Sequence, residues 1–180
     1  REVIHWDAFG ADGVFLVEYS LDNGSTWEEV GSVPGDIRLI DFAVPNEVTA
    51  EALVRVSRGG QSDLSDEPFS IAAPPSSVQL GRVCPDSIRV EWNPQDYASA
   101  HEFYILGERY MDSIGTTAES YYEVPISIPI EEPIWVAVNT IADNGAHSKR
   151  TIALELQPDD LLNCPLQRDL ILVGLPQFAE

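Results

Sequence analysis

The chain has 180 residues and a net charge of −20, from 30 acidic and 10 basic side chains. An apolar fraction of 44% is enough for packed cores and argues against disorder. The acidity is even, with 14 acidic and 4 basic residues in 1–72, 12 and 5 in 73–158, and 4 and 1 in 159–180. Such a surface repels phosphate backbones and anionic lipid, which argues against nucleic-acid and membrane-surface partners, and no apolar run is long enough for membrane insertion.

Strands are predicted along the whole length, because apolar residues recur with period two and turn signals punctuate them. In the first unit, Val3 to Asp7 is followed by a Gly10–Gly13 turn and the strand Val14–Ser20. Asn23-Gly24 makes a tight hairpin, Thr26–Val30 returns, and Ile37–Phe42, Ala52–Ser57 and Ser65–Ile71 complete the unit. Ala72-Ala73-Pro74-Pro75-Ser76-Ser77 reads as a semi-rigid linker. The second unit repeats the plan with Val78–Val83, Ser87–Trp92, the hairpin Glu102–Leu106 and Arg109–Ile114, then Ser120–Val124, Ile134–Asn139 and Arg150–Leu156. Trp6 and Trp92 end equivalent strands and are read as core residues. The hairpin from Glu18-Tyr19 to Gly31 corresponds to that from Phe103-Tyr104 to Gly115. The expected fold class is all-β, with two tandem antiparallel sandwiches: 1–72 lacking its first strand, 73–158 complete, and 159–180 a link into a further strand or domain. The chain opens on a strand and ends in apolar Leu170–Val173, so both ends are read as cuts from a longer protein.

The second unit resembles a fibronectin type III domain, through its Pro-Pro start, the Trp92 position and the paired aromatics at Phe103-Tyr104. The first unit is similar to Ig-like or fibronectin-like modules built around Glu18-Tyr19-Ser20-Leu21-Asp22-Asn23-Gly24-Ser25-Thr26-Trp27. With Asn163-Cys164-Pro165, the chain resembles modules of large secreted Bacteroidota-type proteins, which often accompany subtilisin-like peptidases or adhesins. In the fibronectin-like topology Cys84 and Cys164 fall at one pole, which implies a disulfide; the alternative is two unrelated thiols.

Ser20, Asp22, Gly24, Thr26 and Trp27 fit the Asp-box pattern seen in sialidase-type propellers. Physically this is a hairpin clasp, in which the carboxylate accepts turn amides, glycine permits positive φ and tryptophan covers the base. One copy does not make a propeller. Tyr97, Tyr110, Tyr121 and Tyr122 are candidates for a sugar-stacking platform, set against the plainer reading that alternate members face the core. Asp63, Asp66 and Glu67 form the densest acidic loop and a candidate calcium site, although D-x-D-x-D-G spacing is missing and a solvated loop fits as well. His5, His101 and His147 have no ligand spacing, and no nucleophile elbow or phosphate loop occurs. The expected function is therefore a non-catalytic extracellular spacer or interaction module with no cofactor beyond possible calcium. Its partners would be neighbouring domains of the same polypeptide, or an extracellular protein or glycan.

Overall fold

The computed structural model describes residues 2–84, 87–125 and 133–157. Every regular element among them is a β-strand. In the first half these are β1 (Glu2–His5), β2 (Val14–Ser20), β3 (Glu28–Pro34), β4 (Leu39–Phe42), β5 (Thr49–Arg58), β6 (Gln61–Leu64) and β7 (Phe69–Ile71). In the second they are β8 (Ser76–Val83), β9 (Ser87–Asn93), β10 (Ala98–Leu106), β11 (Met111–Thr117), β12 (Tyr121–Pro125), β13 (Ile134–Ala142) and β14 (Leu154–Leu156). The expectations for 159–180 and for Cys164 lie outside the described residues.

Each half is a sandwich of two antiparallel sheets. The second half stacks β12-β9-β8 on β11-β10-β13-β14, a fibronectin-like order. The first half stacks β1-β4 on a sheet ordered β3-β2-β5-β6, with β7 also on β5. Among the described residues no strand of one half pairs with a strand of the other. The chain is thus all-β, with two tandem antiparallel sandwiches.

The repeat extends to irregularities. β2–β3 shifts register between Val17 and Glu18, with Val17 opposite Gly31. β10–β11 shifts between Phe103 and Tyr104, with Phe103 opposite Gly115. A bulge at matching places bends both hairpins over the facing sheet. Both glycines serve that approach. A Cβ on Gly31 would stand 3.1 Å from Ile40 of β4, and one on Gly115 would stand 2.4 Å from the Tyr122 hydroxyl of β12.

The second core comprises Val83, Ile88, Val90, Trp92, Phe103, Val124, Val136, Val138 and Leu156. Phe103 is its centre, 0% exposed, stacked on Tyr122 at 4.7 Å and facing Trp92 at 6.2 Å. His101 lies in this core at 2% exposure, 5.2 Å from Trp92. Burial pushes its pKa below the ordinary histidine value, and the backbone of Glu119, which opposes the shift, is outweighed.

In the first half, Trp6 departs from the expected core role. It sits just beyond β1, half-buried, with its ring edge-on to Phe15 at 5.4 Å. Phe15 is also covered by the Arg38 and Arg58 guanidinium groups, at 5.0 and 4.4 Å. These two arginines hold the loop before β2 through its carbonyls. Arg38 donates to Ala8 O and Gly10 O, and Arg58 to Phe9 O and Gly10 O.

The closing strands also differ from expectation. Of the expected Ser65–Ile71 strand only Phe69–Ile71 (β7) is regular; β6, over Gln61–Leu64, precedes it, and both pair with β5. Between them Ser65 keeps the connection, its N–H donating to Val54 O and its hydroxyl accepting the Val54 N–H. Likewise only Leu154–Leu156 of the expected Arg150–Leu156 strand is regular. Upstream, the Thr151 and Ser148 hydroxyls accept the N–H groups of Val138 and Thr140. A hydroxyl standing in for a carbonyl satisfies the ladder while the backbone leaves strand geometry.

Candidate functional site

The hairpin joining β2 to β3 is a closed polar clasp. Ser20, at the end of β2, is buried; its hydroxyl accepts the Gly24 N–H at 2.8 Å and donates to Asp22 Oδ1 at 2.8 Å. Asp22 Oδ1 also accepts the Thr26 N–H at 2.8 Å, and Oδ2 accepts the Thr26 hydroxyl at 2.7 Å. These donors, the Thr26 amide first, hold the Asp22 carboxyl down at about 2. Asn23 and Gly24 both take positive φ, at 54° and 85°. Trp27 Nε1 donates to Gly24 O at 3.0 Å, and Arg55 lies 4.2 Å over the indole while pairing with Glu18. All five Asp-box residues therefore meet, and every polar group among them is directed inward at the turn. The arrangement orders a hairpin.

The tyrosines do not form one platform. Tyr97 is half-buried at the junction, and Tyr110 is 77% exposed in the turn after β10. Tyr121 lies under the Arg89 guanidinium at 4.0 Å, and Arg89 is in turn held by Glu123. Tyr122 is stacked inward on Phe103. Adjacent strand residues face opposite ways, so Tyr121 and Tyr122 do not share a plane. Asp63, Asp66 and Glu67 are exposed on and after β6. The structure does not converge them: among the described residues no group of three acidic, histidine or cysteine side chains is arranged to hold a metal ion. Cys84 lies at the end of β8, where its N–H donates to Ser87 O at 2.8 Å.

The linker between the halves was legible in the sequence, the contacts that hold it were not, and together they make the best-built candidate site. The Ala73 N–H donates to the Tyr97 hydroxyl at 2.8 Å, and Gln95 Nε2 donates to Pro74 O at 2.8 Å. Tyr97 and Gln95 precede β10, so the second half grips the linker from which it emerges. Two further contacts reach across. Asn144, in the turn after β13, donates to Val48 O at 2.9 Å, and Lys149 pairs with Glu2 at 2.7 Å. The Lys149 hydrogen bond lowers the Glu2 pKa, although an exposed pair of this kind adds little stability. Ser77, the last residue of the linker, takes φ 52° where β8 shifts register against β9. That bulge turns the chain out of the linker and into the second sandwich. A cavity of about 720 Å³ lies against the junction, with Ile4, Phe42, Ile71 and Pro74 in its wall.

Among the described residues no helix is long and apolar enough to cross a membrane. No family model matches the chain, and no curated protein matches it. Many solved structures are similar to it, among them the following three. A two-domain fibronectin type III segment from chicken tenascin is 10% identical, covering 86% of this chain and 90% of that one, with a TM-score of 0.43. The chicken CNTN1 FN1–FN3 domains are 11% identical, with 86% of this chain covered and a TM-score of 0.40; the chain spans 61% of their length. The Endo-D glycoside hydrolase domain from Streptococcus pneumoniae is 11% identical, with 84% of this chain covered and a TM-score of 0.37; the chain spans 28% of it.

Proposed function

We propose that the chain is a non-catalytic spacer within a larger secreted or cell-surface protein, setting the distance and direction of a neighbouring catalytic or adhesive domain. The unit boundaries are placed at 1–72 and 73–158. The observation that carries this reading is the junction. A linker already stiffened by two prolines is held by Tyr97 and Gln95, and the Asn144–Val48 bond fixes the turn beside it. Two sandwiches joined in this way transmit orientation, whereas a free linker would not. Accessory service to a secreted subtilisin-like peptidase is one setting for such a spacer.

NMR relaxation of the full chain tests the reading. Both halves should report one rotational correlation time, and a Tyr97→Phe/Gln95→Ala double variant should let them separate. Independent tumbling of the unaltered halves would refute a spacer. The extracellular setting includes a Cys84–Cys164 bridge closing a loop of 164 − 84 = 80 residues, worth roughly 4–5 kcal/mol on the chain-entropy model. Two titratable thiols without reductant would remove the bridge.

One observation favours a second reading, a protein-binding module. Phe9 is 98% exposed on the loop that Arg38 and Arg58 pin in place. A rigid exposed aromatic is the kind of anchor that protein interfaces use.

A further inference from the structure

The outer face of the four-stranded sheet in the second half departs from the rest of the surface. On β13, Val136 and Val138 are wholly buried in the core, so the alternate residues Trp135, Ala137 and Asn139 face outward. Trp135 is 36% exposed there. Tyr104 lies opposite Ala137 in the β10–β13 ladder. Beside them is a shallow cavity of about 600 Å³, with Tyr104, Met111, Lys149 and Arg150 in its wall and Ala137 and Asn139, both nearly buried, at its base.

Charge sets this cavity apart. The chain carries 30 acidic and 10 basic residues, and the junction cavity includes Glu2 and Glu47. This one is lined by two cations and by no acidic residue. Arg150 is the freer of the two, because Lys149 is already paired with Glu2. The Arg150 guanidinium lies 5.2 Å over the Tyr104 ring, and its Nη1 donates to Met111 O at 3.3 Å, so it is held on two sides. Arg55, Arg82 and Arg89 are paired with carboxylates, and Arg38 and Arg58 donate to carbonyls. Among the described residues Arg150 is paired with no carboxylate, and most of its five N–H donors are unspent. Glu102, on the same face, accepts the Tyr104 hydroxyl on one oxygen and the Ser113 hydroxyl on the other. Asn139 Nδ2 donates to the Tyr104 oxygen at 3.3 Å and keeps a second N–H.

A guanidinium held in place with donors to spare, in a wall without acids, fits a carboxylate, which it can take on two N–H groups at once. An exposed indole on the same strand face fits the apolar C–H side of a sugar ring. Trp135 and Asn139 are four residues apart, roughly 13 Å of strand, so a ligand that touches both is an oligosaccharide and not a single sugar. Phosphate polymers and anionic lipid surfaces carry dense charge that a net −20 repels, whereas a short acidic sugar presents isolated carboxylates.

We propose that this face binds an acidic oligosaccharide, with one ring resting on Trp135 and the carboxylate of a uronic acid unit held by Arg150 beside the free Asn139 N–H. A spacer does not need this site, and the site does not need a rigid junction, so the two readings stand or fall separately.

NMR titration of the full chain with tri-galacturonic acid, in parallel with the neutral galactotriose, tests this in about 0.15 M salt. Tri-galacturonic acid should shift the Trp135 indole N–H, the Asn139 side-chain amide and the Arg150 Nε–H, and galactotriose should bind at least ~10-fold more weakly. Arg150→Gln should lower the affinity for tri-galacturonic acid at least ~10-fold while the amide spectrum of the first half and of the core stays unchanged. Trp135→Ala should weaken the binding of both sugars. Four results would overturn the proposal. They are no shift up to ~10 mM sugar, equal affinity for the neutral sugar, shifts that leave Trp135 and Arg150 untouched, and an Arg150→Gln variant that binds as tightly as the unaltered chain.

Discussion

Gly115→Ala isolates the feature that the two halves share most closely. A Cβ at this position would stand 2.4 Å from the Tyr122 hydroxyl oxygen and 3.2 Å from Cζ. Reaching ordinary contact at 3.4 Å means moving the hydroxyl by about 1 Å. Tyr122 is poorly placed to yield, because its ring lies 4.7 Å from Phe103 at an interplanar angle of 7°, and its hydroxyl donates to Ile114 O. Phe103 is wholly buried and presses on Trp92. Displacement therefore propagates into the core, and overpacking of this kind costs about 1–3 kcal/mol. Urea unfolding, followed at second-half amides by NMR, measures it. In a Tyr122→Phe background the clashing oxygen is gone and the nearest remaining atom is Cζ, so the same substitution should cost under ~1 kcal/mol. Equal penalties in both backgrounds would show that the close approach is not what the glycine serves.

His101 makes stability depend on pH. Its folded pKa lies below the ordinary 6.5, so as pH falls through 6.5 the unfolded chain takes up a proton that the folded core resists. Stability should therefore decline from pH 6.5 downward, and His101→Phe should flatten that slope in chemical denaturation at a series of pH values. Asp22 acts at lower pH. Its carboxyl is held at about 2 against an ordinary 3.8, so its contribution is complete above about pH 4 and is lost as pH falls toward 2; Asp22→Asn should lower Tm and weaken amide protection at Gly24 and Thr26. Phe103→Ala, in the most enclosed aromatic position, should cost about 3–5 kcal/mol in urea unfolding of the second half.

The repeat was legible because it is written in local pattern. Alternation placed the strands, Asn23-Gly24 marked the hairpin, and Gly31 and Gly115 stood on the returning strands of corresponding hairpins. What escaped depends on long-range or side-chain pairing. Asn144 and Val48 meet across 96 residues, and nothing at either position announces the other. Ser65 and Thr151 extend the ladder through hydroxyls, so strand boundaries drawn from alternation overshoot. The tyrosines were placed by strand parity alone, which does not say that Arg89 covers Tyr121. For His101 a signal existed: it alternates with Phe103 and Ile105 on β10, two steps along the face that points inward.

Arg38 and Arg58 donate to main-chain carbonyls, and among the described residues neither is paired with a carboxylate. With 30 acidic and 10 basic residues, such use leaves still fewer cations to offset the acids, and the folded surface is a dense field of like charge. Cations drawn from solution screen the repulsion that compaction creates, so added salt should stiffen and stabilise this protein, where it would weaken one held together by surface ion pairs. A spacer with that property would be at its firmest in brine.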